Sequence, residues 1–194
     1  MKCHLCEEKP CRMGDPCIEK ESIPLYEDPL DRKLLKVAAE VEALYYEQIC
    51  RVDEIMEFSR RMGFKKLGIA FCIGLAKEAK IVGDIFSKEF EVHSVCCKVG
   101  GVAKADLDMP TPTWLGSSTC NPVEQARVLN DEGTDFNVVV GLCVGHDSLF
   151  YKHSKAPVTT LVTKDRKLGH NPVAAIYCPY IVRHLGERPK ERKE

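Results

Sequence analysis

Apolar side chains return at Leu34, Val37, Ala38, Val41, Leu44 and Tyr45 within "YEDPLDRKLLKVAAEVEALYYEQ". That spacing follows the turn of an α-helix, about 3.6 residues, and sets one face toward a core. Asp28 stands where an N-cap is needed, Pro29 suits the first turn, and Asp31 favours the positive end of the helix dipole. "RVDEIMEFSRRMG" predicts a second helix that stops at Gly63, a residue suited to the C′ position. From residue 65 the texture changes. "KKLGIAFCIG" is apolar without alternation, the mark of a strand buried on both faces. "LAKEAKIVGDIFSKE" then reads as helix and "FEVHSVCC" as strand, followed by the glycine-containing loop "KVGGVAKADLDMPTP". "NPVEQARVLNDEG" is a helix with Pro122 in its first turn and Gly133 at its end; "DFNVVVGLCVG" and "APVTTLVTKD" are two more strands. Such alternation predicts an α/β fold: a doubly wound, mostly parallel sheet of about four strands with flanking helices and right-handed crossovers.

This pattern divides the chain into a Cys-rich segment (1–24), a helical segment (25–64) and an α/β domain (65–194), with no internal repeat or low-complexity stretch. A length of 194 residues suffices for one such domain plus a small appendage. The net charge is −1 with signs mixed, which leaves no electrostatic footprint for nucleic acid or an anionic membrane surface. No apolar run approaches a membrane span, and no apolar stretch follows Met1 and Lys2. The expectation is a cytoplasmic protein without nucleic-acid or membrane partners.

Eleven cysteines change the picture. In a reducing compartment structural disulfides are disfavoured, and such a count points to metal binding or catalysis. Four lie in "MKCHLCEEKPCRMGDPC", as Cys3, Cys6, Cys11 and Cys17 with a Cys-x2-Cys-x4-Cys-x5-Cys spacing. Four thiolates on a short loop suit tetrahedral zinc or an iron–sulfur cluster, since both take soft sulfur ligands. His4 is adjacent to Cys3, which makes joint ligation awkward.

The other thiols fall at strand ends. Cys72 closes the first strand, Cys96 and Cys97 the second and Cys143 the third, while Cys120 precedes the helix leading into the third. In an open parallel sheet these carboxyl ends meet along one edge, where ligands bind. Buried cysteine is also a common small hydrophobe, but five at one edge would require repeated coincidence. Cys50 and Cys178 read as structural. His146 and Asp147 follow Cys143 directly, with Lys155 further on; Lys164, Asp165, Arg166 and His170 occupy the loop after the fourth strand. As candidate catalytic residues these can bind an anionic or polar substrate and move protons; the competing reading is a solvated turn.

At "KKLGIAFCIGLAKEAK", "VHSVCCKVGG", "CNPVEQARVLN" and "VVVGLCVGHDSLFYKHSKAPVTTLVTKDRKLGHNPVAA" the chain resembles a bacterial and archaeal domain-of-unknown-function family described only as metal-binding. The resemblance covers nearly the whole chain, and the N-terminal cysteines fit the usual start of that group. It implies metal binding, favours Cys72, Cys96, Cys97, Cys120, Cys143, His146 and His170 as site residues, and carries no reaction.

Together these readings make an iron–sulfur enzyme the leading expectation. Two [4Fe-4S] clusters are expected, one on the N-terminal thiols, where zinc is the alternative, and one on the rim thiols. Three cysteines on a cubane would leave one iron open for redox or sulfur-transfer chemistry on a small molecule. Partners would be that substrate or an electron-transfer protein, with homo-oligomerisation through the N-terminal helices as a further option. A zinc or copper chaperone, store or sensor without turnover, and a thiol redox sensor using Cys96 and Cys97, are the competing functions.

Overall fold

The computed structural model describes residues 1–18, 22–112 and 114–188. Residues 19–21 of the expected Cys-rich segment, and residues 113 and 189–194 of the expected α/β domain, lie outside the described residues. Contacts divide the chain into two units, Met1–Leu44 and Tyr45–Glu194.

In the first unit, single turns at Cys3–Leu5, Pro10–Met13 and Ile23–Tyr26 precede helix α1 (Pro29–Tyr45). Asp28 caps α1 as expected: its Oδ1 accepts from the N–H groups of Leu30 (2.8 Å) and Asp31 (3.0 Å). Val37 and Val41 are the buried positions of the predicted stripe, whereas Ala38 and Leu44 are exposed.

The second unit carries the sheet. Helix α2 (Arg51–Met62) ends on Gly63 at φ +78°, the left-handed cap its sequence position requires. Its Ile55 and Met56 join the hydrophobic core of the sheet, so α2 belongs with the α/β domain rather than with α1. Then follow β1 (Lys66–Phe71), α3 (Ala76–Phe86), β2 (Glu91–Cys96), α4 (Pro122–Asp131), β3 (Phe136–Val140), α5 (His146–His153) and β4 (Val158–Val162). Two short helices, α6 (Val173–Tyr177) and α7 (Pro179–Val182), close the described chain.

All pairings are parallel, and the strand order is β2-β1-β3-β4. The expected α/β architecture is thus observed. Central strands β1 and β3 are buried almost throughout, which explains their unbroken apolar runs; edge strand β4 is half-buried along its length. With right-handed crossovers, this order places α3 on one face and α4 and α5 on the other. Hydrophobic periodicity misses α5, α6 and α7. In α5 the only buried side chain is Phe150, and α6 and α7 bury none, so they leave no apolar stripe to read.

The strand order reverses between β1 and β3, and there the two central strands approach very closely. Gly68 pairs in register with Asn137, and a Cβ on Gly68 would sit 1.9 Å from Asn137 Oδ1 and 2.9 Å from Leu129 Cδ1. Asn137 is fully buried: it accepts from Thr134 Oγ1 at 2.8 Å and donates to Ser154 Oγ at 2.9 Å. Its amide cannot withdraw without losing both bonds. Gly68→Ala should therefore destabilise the fold by about 1–3 kcal/mol, the usual cost of overpacking a core. Urea denaturation of the reduced protein measures it, and an unchanged midpoint would refute the contact.

Candidate functional site

Cys72 and Cys97 each lie one residue beyond a strand and extend its ladder. The Cys72 N–H donates to the Val140 carbonyl at 3.1 Å, and the Cys97 N–H to the Phe71 carbonyl at 2.8 Å. Cys120 arrives from another direction, just before the Asn121 cap of α4, whose N–H donates to the Cys97 carbonyl at 2.8 Å. Gln125, one turn into α4 and fully buried, fastens this corner: its Nε2 donates to the carbonyls of Val95 (2.7 Å) and Phe71 (3.2 Å). The ends of β1, β2 and the start of α4 are thereby tied together, and the three thiols they carry line one cleft.

The Cys97 and Cys120 sulfurs stand 3.7 Å apart, and Cys72 lines the same cleft. The Ile73 N–H donates to the Cys97 sulfur at 3.4 Å, and Lys164 Nζ to that of Cys72 at 3.3 Å. Cys143 lines the same cleft, its sulfur accepting from Arg166 Nη2 at 3.0 Å. The cleft, of about 520 Å³, is lined by these thiols and by Lys98, His146 and Arg166. Met109, Pro110, Pro112, Trp114 and Leu115, from the loop between β2 and α4, supply an apolar wall. That loop is pinned by a bridge between Ala103 and Ser118 and by Lys104, whose Nζ donates to the Leu115 carbonyl at 3.2 Å.

The thiols share protons unequally. The neighbouring Cys97 favours the ionised form of Cys72 against burial, and the Gly74 backbone and the Lys164 ammonium add to it, bringing its pKa down to about 4. Cys120 falls to about 5, chiefly through Cys97, with the charges of Lys98 and His146 assisting. Cys97 itself is pushed far up, chiefly by its contact with Cys120, with the neighbouring Cys72 and burial adding to it. Arg166 is held more firmly protonated by its bond to Cys143.

Other expected site residues stand elsewhere. Cys96 is not part of the cleft wall, and its sulfur accepts from the Lys98 N–H at 3.5 Å. Asp147 serves the backbone, accepting from the N–H groups of Gly145 and Ser148 at the start of α5. Asp165 and His170 shape one turn: Asp165 Oδ1 accepts from Lys167 and Leu168 N–H, and His170 Nδ1 accepts from the Asp165 N–H at 3.1 Å. Lys155 is exposed, with its N–H donating to Asn130 Oδ1. Cys50 is exposed, its thiol donating to Asp53, and Cys178 is half-buried. Lys98, Lys104, Gln125 and the apolar wall escape the sequence reading. The unusual length of the β2–α4 connection is the signal that could have found them, since long ordered loops tend to be functional.

In the first unit, Cys3, Cys6, Cys11 and Cys17 all line one hollow of about 540 Å³. Lys9, at φ +50°, folds back so that its Nζ donates to the carbonyls of Cys3 (2.9 Å) and Cys6. The Cys11 and Cys17 sulfurs are 4.0 Å apart, and that contact pushes the Cys17 thiol up. Among the described residues no group of three or more His, Cys, Asp and Glu side chains is already arranged around a metal position. Among those residues, too, no helix is long and apolar enough to cross a membrane.

The family described as "Protein of unknown function (DUF1847)" matches residues 11–161. The chain is 48% identical over 192 residues to "Uncharacterized protein MJ0455" of Methanocaldococcus jannaschii, covering 96% of this chain and 99% of that protein. No solved structure matches. The chain belongs to the DUF1847 family.

The charge states above have a direct readout. In reduced, metal-free protein, far-ultraviolet thiolate absorbance should persist as pH is lowered from neutral and disappear only near pH 4 to 5. A Cys72→Ala, Cys120→Ala double variant should instead show thiolate only toward the ordinary thiol range near 9. Absorbance in the parent protein that is already lost at neutral pH would refute the assignment.

Proposed function

We propose that this member of the DUF1847 family is a metal–thiolate protein whose working centre is held by Cys72, Cys97 and Cys120 at the carboxyl rim of its sheet. The observation that carries the reading is the 3.7 Å approach of the Cys97 and Cys120 sulfurs, with Cys72 lining the same cleft from a third chain segment. Two thiolates bound tetrahedrally at about 2.3 Å from one ion lie about 3.8 Å apart. The 3.7 Å between Cys97 and Cys120, and the 4.0 Å between Cys11 and Cys17, suit that edge. The cysteines of a [4Fe-4S] cluster bind different irons and stand further apart, so a cubane would require the inner trio to spread.

Three protein thiolates leave a tetrahedral ion one open position, the arrangement of a catalytic rather than a stapling site. Such a centre supplies Lewis-acid or redox chemistry to a small molecule. The chain's own residues would do the rest. Lys98, Lys164 and His146 lower the cost of gathering thiolates, Arg166 holds Cys143 facing the cleft, and the Trp114 loop limits water access. The N-terminal hollow with Cys3, Cys6, Cys11 and Cys17 would hold a second metal as zinc or an iron–sulfur cluster. Both centres are assigned on sulfur chemistry, and the thiols must turn toward a common point to take an ion.

Anaerobically purified protein should contain metal at both positions by elemental analysis. Cys97→Ser should remove the inner metal and retain the N-terminal one, while Cys143→Ser, which touches no other thiol, should lose little. Acid-labile sulfide would identify iron–sulfur clusters, and zinc without sulfide a mononuclear centre. Equal metal content in the parent and in Cys97→Ser would end the inner-site reading.

A further inference from the structure

Cys97 and Cys120 are unlike an ordinary pair of buried thiols. Their sulfurs are 3.7 Å apart, and the bond from the Asn121 N–H to the Cys97 carbonyl makes their backbones neighbours. A disulfide needs a sulfur separation of about 2.05 Å, so an approach of about 1.7 Å through side-chain rotation is enough. The two sulfurs also differ in access: Cys97 is 2% exposed, whereas Cys120 is half-buried and opens on the cleft. One is placed to meet a reagent and the other to finish the reaction.

We propose that Cys97 and Cys120 form a reversible disulfide with a low-molecular-weight disulfide as oxidant, Cys120 being the attacking and Cys97 the resolving thiol. In the first step the Cys120 thiolate attacks one sulfur of the reagent. The reagent's S–S bond breaks, one small thiolate leaves, and Cys120 carries the other half as a mixed disulfide. Cys97 then passes its proton to the thiolate just released and attacks the Cys120 sulfur, expelling the second small thiolate. Two protein thiols are oxidised and one reagent disulfide is reduced to two thiols. Cys96, although next to Cys97 in sequence, is outside the cleft and takes no part.

Closure would withdraw two of the three sulfurs assigned to the inner metal; this consequence rests on the metal reading, whereas the pairing does not. The disulfide would then act as a redox control on occupancy of the rim site.

The test uses full-length, metal-free protein carrying Cys96→Ser, treated with oxidised glutathione and then digested with trypsin. Mass spectrometry should find peptide 89–98 joined to peptide 105–127, and the link should vanish on reduction or in an added Cys120→Ala variant. A persistent glutathione adduct on Cys120 without the cross-link would overturn the proposal, as would a predominant link from 89–98 to 67–77, which holds Cys72. Protein with Cys96 intact must give the same link, which guards against a folding defect in the variant. Elemental analysis of a separate, anaerobically purified sample separates the two ideas. A cross-link in protein that never binds metal sinks the metal reading alone; bound metal in that sample with no cross-link in the metal-free protein sinks the disulfide alone.

Discussion

Three thiols from three chain segments share one cleft only if those segments cannot drift apart, and the buried amide of Gln125 provides that restraint. It bonds to backbone carbonyls at the ends of both β1 and β2 while its own helix begins beside Cys120. Replacing this donor would remove two bonds that fasten the strand ends, each worth about 0.5–1.5 kcal/mol net. The site thus draws its geometry from the fold's own hydrogen bonding and not from the loop that covers it.

Charge follows from that geometry. Thiols crowded at one corner do not ionise alike: Cys97 is held protonated, whereas Cys72 and Cys120 give up their protons more readily. The cations respond in kind: Lys164 turns to Cys72, and Arg166 to Cys143.

Much of the architecture was legible in the residues. Apolar runs marked β1 and β3, Asp28 and Gly63 marked helix ends, and strand–helix alternation implied a rim to which Cys72, Cys97, Cys120 and Cys143 all belong. What stayed hidden was which sulfurs touch. Pleat parity turns Cys96 from Cys97, and the route of the β2–α4 loop decides where Cys120 lands; neither is encoded in local periodicity. Asp147, Asp165 and His170 looked chemical because polar turn residues and catalytic ones share a vocabulary, but their hydrogen bonds are spent on backbone. Helix α5 eluded the pattern for the opposite reason, having a single buried side chain to announce it.

The missing side chain at Gly68 has a consequence for how this sequence can drift. Asn137 fills the space above that glycine and spends its amide on Thr134 and Ser154. A larger residue at 68 is admissible only alongside a smaller one at 137, which in turn leaves Thr134 and Ser154 with only their backbone acceptors, Leu129 and Ala156. Four positions scattered over three segments are therefore locked into one heritable unit, and homologues should vary them jointly or keep them all.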